Sequence, residues 1–193
     1  MYMRYDIINK FIKERNYNSF LEIGTFMGET YNIVNCNKKV SVDPDPKCNA
    51  TYVMTSDEYF ATYNDKFDII FIDGLHEHKQ VWKDICNALE HLKHKGVIVL
   101  HDCMPKSEKM QITDNKSHQN EEWTGDAWKA YYKAKISLPY KIYVVDTDYG
   151  CGIIDTSVET VCLEDTVDME KLTYNDYLQF IEMKIYGVKE LEV

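Results

Sequence analysis

Within Phe67-Asp-Ile-Ile-Phe-Ile-Asp73, four apolar residues run without a break into a closing acid, and this segment constrains the fold most. A strand that is apolar at consecutive positions is covered on both faces, as a central parallel strand with helices above and below would be. Val81, Ile85, Ala88, Leu89 and Leu92 then recur at helical spacing, predicting a helix over 76–94 closed by Lys95-Gly96. Val97-Ile-Val-Leu100 is a second apolar strand, running into His101-Asp102. The same alternation precedes it. Ser19 to Gly24 reads as a strand, 29–36 as a helix, Lys39 to Asp43 as a strand stopped by Asp43-Pro-Asp-Pro46, Ala50 to Met54 as a third strand, and Ser56-Asp57-Glu58 as a helix start.

Strands alternating with helices predict an α/β fold, a three-layer sandwich around a Rossmann-like, mostly parallel sheet. Tyr140 to Asp146 and Cys151 to Asp155 flank Thr147-Asp-Tyr-Gly150 and read as a C-terminal antiparallel hairpin at the sheet edge. Met3, Ile7, Ile8, Phe11 and Ile12 predict an N-terminal helix over 3–16, and further helices are expected at 126–135 and 173–186. The polar stretch 103–125 is long for a connection and reads as a lid or substrate loop. The expected organisation is one domain over 1–193: N-terminal helix 1–16, core 17–155 and a C-terminal helical extension 156–193.

Charge narrows the partners. With 22 Lys and Arg against 32 Asp and Glu the chain carries −10, no footprint for nucleic acid or an anionic membrane. No stretch approaches a membrane span, and MYMRYDIINKFIKERN breaks into charge too often for a signal core, so the expected location is cytoplasmic. Six cysteines without a CxxC pair read as reduced packing residues. At 193 residues there is little beyond the core, so self-association into a homo-oligomer, or a partner protein, is one way to complete an acceptor pocket.

In open α/β sheets, ligands sit beyond the carboxyl ends of the strands, where Gly24, Asp43, Asp73 and Asp102 all fall. Glu22-Ile-Gly24-Thr25-Phe-Met-Gly28 is an ExGxxxG loop, unlike the GxGxxG that cradles a pyrophosphate. Its glycines let a ligand approach the backbone, while Asp43 at the end of the second strand can accept hydrogen bonds from a ribose diol. A nucleoside without phosphates fits that pair better than a dinucleotide does.

These elements resemble the class I S-adenosylmethionine-dependent methyltransferases, over roughly residues 17 to 155. Phe71-Ile-Asp-Gly-Leu-His76, a helix, and Lys95-Gly96-Val-Ile-Val-Leu-His101-Asp102 look like the branch of macrocin-type and related sugar O-methyltransferases. The resemblance implies a cofactor site of Glu22, Gly24, Thr25, Gly28, Asp43 and Asp73, with Ser56 and Asp57 at the adenine. It also implies Asp73 and Asp102 as metal ligands and His76 as the base beside Asp73. Two carboxylates at adjacent strand ends suit a hard cation, with magnesium the first choice. His78 stands where that branch often has tyrosine and is the alternative base. His101 is expected to point away from Asp102 by strand alternation, as a supporting or core residue. Asp126 is expected as a helix cap or third metal ligand, Trp123 and Trp128 as a sugar cover or loop anchors, and His91, His94 and His118 as solvated. The expected function is O-methylation of a small polar acceptor such as a sugar or sugar nucleotide. The rivals are a metal-dependent oxygenase on the same fold and a non-catalytic S-adenosylmethionine-binding subunit.

Overall fold

A computed structural model describes residues 2–114, 122–162 and 167–189. Eight strands form one sheet: β1 (Ser19–Ile23), β2 (Lys38–Asp43), β3 (Tyr52–Val53), β4 (Phe67–Ile72), β5 (Leu92–Leu100), β6 (Tyr140–Val145), β7 (Cys151–Glu159) and β8 (Val188–Lys189). Their order is β3-β2-β1-β4-β5-β7-β6-β8. The first five pair in parallel, and β7 runs antiparallel to both β5 and β6.

The apolar runs put side chains into two separate cores, one on each face of the sheet. Ile70, Ile72, Ile98 and Leu100 face α3 (Ser56–Thr62), α4 (His78–His91), α5 (Ala127–Ser137) and α6 (Tyr174–Glu182), whose Phe60, Ile85, Trp128 and Tyr177 complete that side. Ile69, Phe71, Val97 and Val99 face α1 (Arg4–Arg15) and the segment around α2 (Glu29–Ile33), through Ile7, Ile8, Ile12 and Val34. This is the expected three-layer arrangement, and period-2 alternation explains it: adjacent residues of a two-sided strand feed opposite cores.

Four expectations shift. The hairpin does not sit at the edge, because β7 slots between β5 and β6 and β8 then pairs with β6 on its outer side. The extension after residue 155 is accordingly not purely helical: it finishes β7 and supplies β8. Lys95-Gly96 does not end a helix. It lies inside β5, which starts at Leu92, since α4 stops at His91. His91 is buried rather than solvated, its ring nitrogens facing Asn87 O at 2.8 Å and Tyr63 O at 2.9 Å. His94 is exposed, and His118 lies outside the described residues, as does part of the 103–125 loop. Among the described residues no helix is long and apolar enough to cross a membrane. All six cysteines are free thiols.

Candidate active site

The central strands finish level, which brings distant residues to one rim. Gly24 N–H donates to Val42 O (2.9 Å), Asp73 N–H to Ile23 O (2.8 Å) and His101 N–H to Ile72 O (3.1 Å). The residues just past that row line a cleft of about 840 Å³ bounded by Gly24, Asp43, Asp73, His101 and Asp102.

One end of the cleft is built by backbone. Gly24 has φ +84°, and a Cβ there would lie 2.1 Å from Asp73 O, so glycine is required for the ends of β1 and β4 to meet. Asp43 Oδ2 accepts the Thr25 and Phe26 N–H groups at 3.0 and 2.9 Å, and Oδ1 accepts Asp45 N–H at 2.9 Å. The carboxylate that faces the cleft thus also ties the glycine loop to β2. Gly28, at φ +75°, begins α2 and does not line the cleft. Glu22 and Thr25 are buried outside the lining, with Glu22 Oε2 and Thr25 Oγ1 lacking hydrogen-bond partners. Burial, reinforced by the charge of Asp73, pushes the Glu22 carboxyl up to about 8.

Ser56 and Asp57 line the wall beyond Asp43, joined by a residue the sequence did not single out. Gln80 Nε2 donates to Ser56 Oγ (3.2 Å), Asp57 Oδ1 (3.1 Å) and Asp84 Oδ1 (3.1 Å). Lys83 Nζ closes on Asp57 Oδ2 at 2.6 Å.

The other end is built from charged side chains. His76 Nε2 lies 3.3 Å from Asp73 Oδ1, and His76 Nδ1 lies 3.0 Å from Asp102 Oδ2 without the alignment of a hydrogen bond, leaving that buried nitrogen unpartnered. Asp73, His76 and Asp102 each offer a ligand atom within 4.8 Å of the others. Burial disfavours charge on the His76 ring, but the adjoining carboxylates of Asp73 and Asp102 outweigh it and raise its pKa. Burial also works against the Asp73 carboxylate, yet His101 and His76 hold it well below the usual range. Two carboxylate oxygens around an unpartnered imidazole nitrogen fit a divalent cation.

His101 corrects the alternation argument. It faces the cleft with Nδ1 3.2 Å from Asp73 Oδ1 and 3.3 Å from Asp102 Oδ1. Strand periodicity ends at Leu100, and Asp102 takes a left-handed φ of 57°, so both side chains turn to the same side. His78 turns elsewhere. Its N–H and Nδ1 meet Asp126 Oδ1 and Oδ2 at 2.7 and 2.6 Å, and it is not among the cleft-lining residues. Asp126 thereby caps α4 and stands apart from the Asp73–Asp102 cluster; the helix that it precedes, α5, gets no side-chain cap.

The tryptophan pair divides. Trp128 is fully buried and donates Nε1 to Gln111 Oε1 at 2.7 Å, anchoring the long loop. Trp123 lines the cleft and stacks on the His76 ring, centroids 4.7 Å apart and planes 13° apart. Two more residues went unnoticed in the sequence. Arg4 of α1 reaches the site, and Asp148 meets it from the β6–β7 turn, with Arg4 Nη1 2.9 Å from Asp148 Oδ2.

Residues 21–103 match the family of the methyltransferase domain. No curated protein gives a significant sequence match. Among solved structures, the chain is similar to an O-methyltransferase from Bacillus cereus in complex with SAH (14% identity, TM-score 0.57, covering 79% of this chain and 80% of that one). It is similar also to the O-methyltransferase TomG from Streptomyces achromogenes, involved in tomaymycin synthesis and in complex with SAM (12%, 0.57, 82% and 80%). It is similar as well to the SAH-bound methyltransferase PaMTH1 from Podospora anserina (14%, 0.56, 86% and 80%). Residues 21–103 thus match a methyltransferase domain, and the chain shares its fold with these O-methyltransferases.

Proposed function

We propose that this protein transfers the methyl group of S-adenosylmethionine to a hydroxyl of a small polar acceptor, a sugar being the first choice, with a divalent cation, magnesium first, at Asp73 and Asp102. The observation that carries the reading is the meeting of Asp73, His76 and Asp102, with ligand atoms within 4.8 Å, at the end of a glycine-loop cleft.

The cleft fits the cofactor in two ways. Gly24 and the carboxylate of Asp43 would take the methionine part and the ribose diol, while Ser56 and Asp57, held by Gln80, would face the adenine. Asp73 and Asp102 would hold the cation, which when bound lowers the pKa of an acceptor hydroxyl. His76 lies against both carboxylates, where its imidazole can take the hydroxyl proton as the oxygen attacks the sulfonium methyl in line. Trp123 covers one face of that ring and keeps water from it. Burial and the charge of Asp73 raise the Glu22 carboxyl, which limits the negative charge beneath Asp73.

The charge of the cleft bears on the acceptor. Asp43, Asp57, Asp73, Asp102 and Asp148 line it, against Arg4 as the Lys or Arg among the described lining residues. Arg4 is already committed to Asp148 and Glu29, so an uncharged sugar suits the cleft better than a sugar nucleotide.

Calorimetry with S-adenosylmethionine, followed by turnover on a panel of sugars with Mg2+ or with excess EDTA, tests this reading. Cofactor binding and an EDTA-sensitive product heavier by one methylene are expected. Full activity in EDTA would remove the metal alone, and a product gaining one oxygen would favour the oxygenase.

A further inference from the structure

The turn between β6 and β7 is made in an expensive way. Gly150 N–H closes on Thr147 O at 2.8 Å, and the two central residues, Asp148 and Tyr149, have φ of 49° and 59°. Two-residue turns of this kind normally use Asn-Gly or Asp-Gly, and a tyrosine at positive φ is an outlier. Strain of this sort persists where the surroundings over-determine it.

The surroundings here are specific. Cys103 N–H donates to Gly150 O (3.0 Å) and Met104 N–H to Tyr149 O (2.7 Å), which press the turn against the chain just past Asp102. Asp148 Oδ2 accepts the Arg4 backbone N–H at 3.1 Å and Arg4 Nη1 at 2.9 Å. Arg4 Nε is in turn held by Thr30 Oγ1 at 2.8 Å. The same Oδ2 lies 3.4 Å from Nε2 of His101, a buried nitrogen with no hydrogen bond, while His101 Nδ1 faces Asp73 and Asp102.

We infer that Asp148 is a positioning residue: clamped by Arg4 from α1, its carboxylate takes the Nε2 side of His101 and so turns Nδ1 towards Asp73 and Asp102. This rests on the metal part of the proposed function. An imidazole with a carboxylate set beside its far nitrogen is held in orientation, and turns its other nitrogen to whatever cation the neighbouring acids hold. Arg4 fixes the clamp, because one oxygen of Asp148 receives two donors from a single residue at the start of a helix.

The test is Mn2+ affinity, read from the free-ion signal by electron paramagnetic resonance, with SAH affinity by calorimetry and melting temperature measured on the same samples. Asp148→Ala should weaken Mn2+ binding about 10–100-fold, the scale for loss of such a carboxylate, with SAH affinity within about threefold of wild type. Arg4→Gln should fall between the two. Asp148→Asn keeps the shape of the turn and should weaken Mn2+ binding in the same direction if Asp148→Ala proves unable to fold. Unchanged Mn2+ affinity in folded Asp148 variants would overturn the inference while leaving the metal reading intact. Mn2+ and SAH affinities falling together with melting temperature would reduce Asp148 to a clamp between α1 and the turn. A wild-type protein that takes up no Mn2+ would instead remove the metal reading itself, and this inference with it.

Discussion

The two ends of the cleft are made by different physics. At the Gly24–Asp43 end, the acids that line the cleft are already spent on the chain: the oxygens of Asp43 accept backbone N–H groups, and Gln80 ties Ser56 to Asp57. At the Asp73–Asp102 end, carboxylates and imidazoles crowd together, and His76 Nδ1 and His101 Nε2 are buried without hydrogen bonds. Buried polar atoms left unmatched are costly, so a satisfied end reads as a binding frame and an unsatisfied end as a place for a ligand or reaction. The difference teaches that shape and chemistry are separable in this cleft.

The sharpest way to break that separation is His76→Ala. Turnover should drop about 10²–10⁴-fold while SAH affinity stays within about threefold, because the proton acceptor is lost and the frame is untouched. His78→Ala should spare turnover and lower the melting temperature, since His78 pairs with the Asp126 carboxylate at the start of α4. A dominant rate loss in His78→Ala would place the base outside the cleft and undo the comparison.

Asp43→Ala probes the opposite end. It should weaken S-adenosylmethionine binding by roughly 1–3 kcal/mol and also lower the melting temperature, because three backbone N–H groups lose their acceptor. Calorimetry and thermal unfolding on one sample check both. Retained cofactor affinity in a less stable protein would show that Asp43 only fastens the loop.

The smallest expected effect lies between the two ends, at Glu22. Its carboxyl, ordinarily near 4.5, is raised to about 8 by burial and then by Asp73. In that window the folded state keeps a proton that the unfolded chain releases, so stability falls as pH rises from about 5 to 8. Glu22→Gln has nothing to release. Its melting temperature relative to wild type should climb across the window and level off above it, by about 2–4 °C for each kcal/mol involved. A difference independent of pH would mean that Glu22 is charged in the folded protein.

Much of the frame was legible before the fold. Phe67–Ile72 and Val97–Leu100 announced two-sided strands, and the acids closing each marked the rim, because burial pattern and strand ends are local properties. What alternation could not give was His101: past Leu100 the backbone turns left-handed at Asp102, and period 2 no longer applies. Asp126 illustrates the same limit. As the residue before α5 it reads as a cap for that helix, yet it caps α4, some 48 residues earlier.

The sequence by itself determined the central strands and the helices between them, that the sheet is mostly parallel, and that acids and glycines gather at its carboxyl ends. Those follow from apolar periodicity and from the few residues that tolerate tight turns. Only the tertiary structure decided that β7 enters between β5 and β6, and hence that the Asp148–Tyr149 turn lies beside His101. It alone joined Arg4 to Asp148, 144 residues apart, and laid Trp123 on His76. Contacts of that span depend on how whole elements pack, and no window of the chain carries that information.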